Sequence, residues 1–306
     1  MGKVYCIGET VCDIIFKNGN PVAAKAGGSM LNSSVSMGRT GLPVSFISEY
    51  ANDQLGQMID DFLKDSGIDT SNIFRYDNGK TSVALAFLNE KNNASYSFYK
   101  HLPQERLAIQ MPDFTEDDVL LFGSFYAINK EIRPTVVELV TKAKKAGAVI
   151  IYDPNFRKAH LHELSDLMPY IIENMQMASI IRGSNEDFEM IFGSKTIADA
   201  YNEVSKYCKN LLYTENEKGF YIQTPSVGTF IPVDAIVPVS TIGAGDNFNA
   251  GFIYGIYKAK VKNAEIERFT SSQWNEICHY APIFAKQVCK SYDNYLSKEF
   301  AASYKL

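Results

Sequence analysis

The sequence lacks grouped metal ligands, long apolar runs and any excess of positive charge, and each absence removes a class of function. Its four histidines (101, 160, 162 and 279) show no metal-ligand spacing, and His160 and His162 read as decoration of a surface turn. Its five cysteines (6, 12, 208, 278 and 289) are odd in number, scattered and mostly set among apolar residues. That pattern points to reduced core side chains in a cytoplasmic protein, not to a disulfide framework. The longest apolar runs are of strand length, too short to span a membrane. A formal net charge of −5 argues against a nucleic-acid footprint. No segment repeats and no low-complexity linker divides the chain. The stretch from Met1 to Gly8 reads as a first buried strand and not as a secretory signal.

What is present is an ordinary globular composition, 306 residues with 46% hydrophobic and 21% charged, enough to bury a large core. Strand-like and helix-like segments alternate, which predicts a mainly parallel sheet covered by helices on both faces. Strands are expected at 3–8, 43–49, 118–122, 148–153, 178–182, 210–214 and 219–223. Helices are expected at 29–40, 53–65, 130–146, 165–175, 185–192, 197–208, 246–259 and 273–290. Asp53 is a helix cap, and Lys144-Lys145-Ala146-Gly147 is a basic helix end followed by glycine. Two stretches break the rhythm. Residues 11–25 hold a hairpin-like Lys17-Asn18-Gly19-Asn20 turn, and residues 81–100 read as two strands around Glu90-Lys91-Asn92-Asn93. The chain is therefore expected to be one domain over 1–306, with lid segments at about 11–25 and 81–102 flanking the crevice at the strand C-termini.

The stretch from Ser240 to Phe252 organises the rest. It follows the apolar run Ala235-Ile236-Val237-Pro238-Val239, read as a strand, and leads into Phe248, Phe252 and Ile256 at helical spacing. Gly243, Ala244 and Gly245 let successive backbone N–H groups converge at a helix N-terminus, which favours an anion. Asp246 would repel that anion, and is useful there if it removes a proton from an attacking hydroxyl while the amides stabilise the transferred group. That combination indicates phosphoryl transfer to an alcohol. The plain alternative is a tight turn with Asp in the first helical turn. The stretch is neither a Walker A loop, since no Gly-Lys-Ser/Thr follows, nor a dinucleotide Gly-x-Gly-x-x-Gly, since position 248 is Phe.

Four further groups join it. Asp13 follows the first strand, where a carboxylate can accept from ligand hydroxyls or merely help a turn. Ala26-Gly27-Gly28-Ser29-Met30-Leu31-Asn32 is a second glycine-rich turn into a helix; Gly27 and Gly28 allow close approach of a polyol, and Asn32 offers donor and acceptor. Asp153-Pro154-Asn155-Phe156-Arg157 sets an acid, an amide and a guanidinium just past a strand, able to meet phosphate or a hydrated metal, or else forms a proline turn with a solvated arginine. Lys100 ends the second lid hairpin, within reach of a sugar hydroxyl or phosphate if it is not simply a solvated edge lysine.

Together these blocks resemble the ribokinase-like (PfkB) family of carbohydrate kinases, and within it the fructokinase branch. The resemblance runs along nearly the whole chain, from Gly8-Glu9 and Asp13 through Met37-Gly38-Arg39-Thr40-Gly41, Phe98-Tyr99-Lys100, the Asp153 block and Glu217-Lys218-Gly219 to Gly243-Ala244-Gly245-Asp246. It implies a Rossmann-like three-layer α/β/α core with a small β-sheet lid able to mediate a homodimer. It implies ATP with Mg2+ phosphorylating a sugar hydroxyl, fructose at the 6-position first, with ribose, 2-keto-3-deoxygluconate or a nucleoside open. Asp246 would be the base and Gly243, Ala244 and Gly245 the anion hole. Asp13, Gly27, Gly28, Asn32 and Lys100 would hold the sugar. Ser184, Thr214, Asn216, Gly219, Gly243 and Gly245 would face the nucleotide. Asp153, Asn155, Arg157 and Asp187 would form the phosphate and metal shell, with no direct metal ligand.

The chain departs from the family pattern in places. Ser240 replaces an acid linked to a monovalent-cation site in some members, which argues against potassium activation. Ser184 and Asp187 stand where the family has Asn-x-x-Glu, Asn216 stands in Thr-x-Gly, and Lys100 replaces Arg, keeping charge but losing bidentate geometry. Ser240 and Asn216 motivate an alternative from another class, a catalytically weak sugar- or nucleotide-binding protein; the intact block from Gly243 to Asp246 argues against it. An NAD-dependent dehydrogenase is disfavoured because no fingerprint follows the first strand.

Overall fold

Val4 and Cys6 lie in one apolar core and Tyr5 and Ile7 in another, and this alternation repeats along the central strands. Val119 and Leu121 face the first core and Leu120 and Phe122 the second, and likewise Val149 and Ile151 against Ile150 and Tyr152. Strands buried on both faces need continuous apolar runs, which is why they were legible. The computed structural model describes residues 2–88 and 94–306, so the expected turn at Glu90-Lys91-Asn92-Asn93 lies outside the described residues.

In chain order, β1 (Val4–Ile7), β2 (Val11–Lys17) and β3 (Asn20–Gly27) precede α1 (Ser29–Arg39), β4 (Val44–Ala51), α2 (Gln54–Asp65), β5 (Ile68–Asp69) and β6 (Ile73–Tyr76). Next come β7 (Lys80–Leu88), β8 (Ala94–His101), β9 (Val119–Gly123), α3 (Arg133–Lys145), β10 (Val149–Asp153) and α4 (Leu164–Met177). The chain continues with β11 (Ile180–Ser184), α5 (Asn185–Phe192), α6 (Ile197–Val204), β12 (Leu211–Glu215), β13 (Gly219–Gln223) and β14 (Gly228–Pro232). It ends with α7 (Ala244–Ala259), α8 (Ser271–Cys278), α9 (Tyr280–Val288) and α10 (Lys298–Ala302).

The large sheet has the order β14-β13-β12-β11-β10-β9-β1-β4-β5, with β6 also paired to β4. It is parallel from β12 to β5, while β13 and β14 add an antiparallel edge. Helices α1, α7, α8 and α9 contribute to the first core and α3, α4, α5 and α6 to the second, which makes three layers. A separate sheet has the order β3-β2-β7-β8. Its β2–β3 turn is the expected one: Asn18 and Gly19 both have positive φ between the paired Lys17 and Asn20. Asp53 caps α2 by accepting from the Gly56 N–H, and also from the backbone and hydroxyl of Thr81 on β7, tying the two sheets together.

Several expectations are corrected. The run 235–239 is not a strand: Val237 is 96% and Val239 48% exposed, and this stretch pairs with no strand among the described residues. The edge is taken instead by β14, closed by a turn at Thr224 that alternation in so short a segment did not signal. The expected helix 273–290 is two helices broken at His279, and the helix expected from 130 starts at Arg133 with Pro134 in its first turn. Residues 260–274, for which no element was expected before 273, carry Ile266, Phe269 and Trp274 into the core. The pieces β5, β6 and α10 were too short to show a period.

Candidate active site

Helix α7 begins at the glycine turn. Gly243 has φ +80°, and a Cβ there would lie 2.6 Å from the Asn294 carbonyl oxygen, so both backbone sign and space require glycine. Asn247 fastens the turn by donating to the carbonyls of Gly243 (2.8 Å) and Asn294 (2.9 Å) and accepting from Ser36 on α1. The Ala244 N–H donates to the Thr241 carbonyl at 3.2 Å, so this amide serves the turn in the present conformation.

Asp246 lies one turn into α7 and is only 8% exposed. Asn32 donates to Oδ2 at 2.8 Å and Ser29 to Oδ1 at 2.5 Å, while Ser33 holds the Asp246 backbone carbonyl at 2.8 Å. All three donors come from α1. Burial pushes the Asp246 carboxyl above its ordinary range; the Asn32 and Ser29 bonds and the Arg157 charge pull it back, and Asp153 pushes it up again. A buried carboxylate with a raised proton affinity, carried on one glycine turn and held from another, suits a general base.

Gly27 and Gly28 close the second turn. A Cβ on Gly27 would lie 2.2 Å from Asp13 Oδ2, and one on Gly28, where φ is +134°, would lie 2.1 Å from the Glu9 carbonyl oxygen. The Asp13 carboxyl is raised to about 6, by burial first and by the Glu9 charge second. Lys100 forms an ion pair with Glu9 and sits 5.7 Å over the Phe98 ring. Glu9 and Lys100 line a cleft of about 340 Å3 that continues past Phe125, Tyr126 and Asn129. Arg106 also reaches this cleft, but its buried guanidinium is taken up by Glu49 and Glu131.

The third group lies behind the first. Asp153 Oδ1 accepts from the Asn155 N–H at 3.0 Å; Oδ2 accepts from Arg182 at 2.9 Å and Asn249 at 2.6 Å. Arg182 also donates to Thr214 at 3.0 Å, and a Cβ on Gly245 would meet its guanidinium nitrogens at 3.0 and 3.1 Å. Asp187 accepts from the Phe156 N–H at 2.7 Å and forms a capping box with Ser184; burial raises its carboxyl, and the Asp153 charge adds to this. Arg157 is exposed. Asn216 is exposed on the β12–β13 turn, and Gly219 is required by the Ile231 carbonyl of β14, 2.2 Å from where its Cβ would lie.

A model of the pfkB family carbohydrate kinases matches residues 1–297. The chain belongs to this family. Among its relatives, a fructokinase of Vibrio alginolyticus is 24% identical over 256 residues, covering 83% of both chains. A 5-dehydro-2-deoxygluconokinase of Geobacillus kaustophilus is 28% identical over 251 residues, covering 75% of this chain and 72% of its own. In fold, the chain is similar to a fructokinase of Vibrio cholerae O395 solved with fructose, ADP and calcium ion, with a TM-score of 0.84, 20% identity and coverage of 97% and 96%.

Within this carbohydrate kinase, the geometry adds Ser29, Arg182, Asn247 and Asn249 to the residues singled out from sequence. Ser29 lay inside the Gly27–Asn32 block without a role. Arg182 had a readable signal: an arginine within the strand Ile180-Ile181-Arg182, where a charge is buried only with a partner. Asn247 and Asn249 had none, because a polar residue in the first turns of a helix is ordinary.

Proposed function

We propose that this carbohydrate kinase uses ATP to phosphorylate a neutral sugar, fructose at its 6-hydroxyl. The observation that carries the reading is Asp246, a buried carboxylate at the N-terminus of α7 whose oxygens are held by Ser29 and Asn32 of the helix that follows Gly27 and Gly28. A sugar bound over Asp13, Gly27, Gly28 and Asn32 would bring a hydroxyl to Asp246 in place of the Ser29 donor. Asp246 takes the proton as that oxygen attacks the γ-phosphorus, and the N–H groups of Gly243, Ala244 and Gly245 receive the charge of the transferred group. The Ala244 N–H would exchange its bond to Thr241 for one to phosphate.

Charge favours a neutral sugar over a sugar acid. Lys100 is already matched by Glu9, and Arg106 by Glu49 and Glu131, so neither cation is left for a substrate carboxylate. Each Oδ2 of Asp153 and Asp187 accepts two protein hydrogen bonds but each Oδ1 only one, which leaves an acceptor site on each acid for the water shell of a hydrated Mg2+. Bound there, Mg2+ would neutralise charge on the β- and γ-phosphates. Thr214, Ser184, Asn216 and Gly219 would flank the nucleotide. Val22, Phe87, Phe98 and Tyr99 are exposed on the small sheet, which supports its acting as a lid through which two copies pair. The five cysteines are free and buried, in keeping with a reducing compartment such as the cytoplasm. No described helix is long and apolar enough to cross a membrane.

The test is ADP release from Mg-ATP with fructose, ribose, 2-keto-3-deoxygluconate, glucose and adenosine offered separately. Turnover is expected with fructose above all. Preference for the keto-acid would retire the neutral-sugar assignment, and silence with every acceptor from a folded, ATP-binding protein would leave a binding protein.

A further inference from the structure

The kinase reading leaves Arg182, a buried cation beside the start of α7, without a role. Arg182 is 6% exposed, and its side chain is held by three contacts: Nη1 on Asp153, Nη2 on Thr214 and the guanidinium 5.3 Å over the Phe248 ring. Phe248 is itself set edge-on against Phe220 at 5.0 Å. The guanidinium lies directly against Gly245, where an added Cβ would meet its nitrogens at 3.0 and 3.1 Å and push it aside by a few tenths of an ångström. Its Nε has no hydrogen-bond partner, although the atom is shut off from solvent.

Stability alone is a poor reason for such an arrangement. A buried arginine–carboxylate pair is often neutral or unfavourable compared with apolar residues of the same volume, and here one donor is also left unmatched. The location offers a better reason. Asp153, Asp187 and Asp246 are three buried acids beside a site meant for phosphates. Arg182 bonds directly to the first of them, and its charge sits against Gly245, the last residue of the Gly243–Gly245 turn.

We infer, on the kinase reading, that Arg182 is a positioning residue for phosphoryl transfer: it pins Asp153 and backs the Gly245 amide with a fixed positive charge. Charge developing on the transferred group would then meet a preorganised cation behind the amides, in a setting with little water to reorganise. Thr214 and Asp153 belong to this unit through Arg182.

The experiment is a cycle of Arg182→Met, Arg182→Lys, Asp153→Asn and Arg182→Met/Asp153→Asn, assayed with the sugar that the wild-type enzyme turns over. Arg182→Met should lower kcat by roughly 10²–10³ while KM for the sugar stays within about threefold. Arg182→Lys should recover at least about tenfold of that loss, because the charge returns without the fork. Arg182→Met should slow the Asp153→Asn enzyme further, since the phosphoryl group loses its cation whether or not Asp153 is charged. Binding of ADP with aluminium fluoride and sugar should weaken about as much as kcat, and ADP alone much less.

If Arg182→Met had no effect in the Asp153→Asn background, Arg182 would serve only to neutralise Asp153 and the inference would fall. It would also fall if kcat, KM and ADP affinity declined together. Should Arg182→Met not fold, Arg182→Lys and the double variant carry the same comparison. A wild-type enzyme silent with every sugar would overturn the kinase reading and this role with it, an outcome visible before any variant is made.

Discussion

The two glycine turns look alike in sequence, a pair of small residues before a helix, yet the crowding that demands glycine differs between them. At Gly27 it comes from the carboxylate of Asp13, and at Gly28 from the carbonyl of Glu9. At Gly243 it comes from the carbonyl of Asn294, while Gly245 is merely tight, its Cβ position 3.0 and 3.1 Å from the guanidinium nitrogens of Arg182. The first turn is therefore packed against acceptors, which suits a ligand bringing hydroxyl donors. The second meets an acceptor at Gly243 but a cation at Gly245, and that cation beside a helix N-terminus suits an anion. Asp246 joins them, carried by α7 and held by donors from α1. The comparison teaches that a glycine turn is permissive about its ligand, and that the side chains behind it select the chemistry.

The largest effect is expected where the two turns meet. Asp246→Asn should slow turnover by roughly 10²–10⁴ with sugar binding nearly intact, measured as kcat beside sugar affinity by calorimetry. Undiminished turnover would remove the base assignment and with it the link between the turns.

Matched alanine substitutions should then separate them. Gly27→Ala drives a methyl into Asp13 and should raise KM for the sugar by about tenfold or more, leaving KM for ATP little changed. Gly243→Ala, strained by φ +80° and by Asn294, should mainly lower kcat and cost about 1–3 kcal/mol in thermal or urea unfolding. Identical kinetic signatures for the two variants would erase the distinction between a sugar-side and a phosphate-side turn.

A pH series sharpens the acceptor side. The Asp13 carboxyl is raised to about 6, so it becomes protonated as the pH falls through that value and loses acceptor capacity for sugar hydroxyls. KM for the sugar should rise below about pH 6, and Asp13→Asn should flatten that part of the profile. The linkage runs the other way for folding: the folded state holds this proton more tightly than the unfolded chain, so Asp13 contributes a loss of stability as the pH rises to about 6. Asp13→Asn should remove that loss. The smallest change is expected for Ser29→Ala, about two- to fivefold in kcat, because Asn32 still holds Asp246.

Much of the fold was legible because it obeys local rules. Doubly buried parallel strands give continuous apolar runs, and the Asp53 cap, the Lys17–Asn20 turn and the basic end of α3 are each decided within a few residues. The strand expected at 235–239 was misread for the same reason. Val237 and Val239 are apolar, but they pair with no strand among the described residues and stay exposed, and apolarity alone does not supply a partner.

The site divides along the same line. The candidates for the chemistry could be named from the sequence, since Asp13, Asn32, Asp153 and Asp246 each stand beside a glycine turn or just past a strand, although an Asp in the first turn of a helix is also an ordinary cap. What surrounds them was decided only by the tertiary fold. Asn32 and Asp246 are 214 residues apart, and Asn249 and Asp153 are 96 apart, in contacts that no local pattern encodes. The buried Arg182 acquires its meaning only when β10, β11, β12 and α7 converge on it. Charge and burial are properties of assembled surroundings, and so the proton affinity of Asp246, the pairing of Lys100 and the cation behind Gly245 exist only in the folded chain.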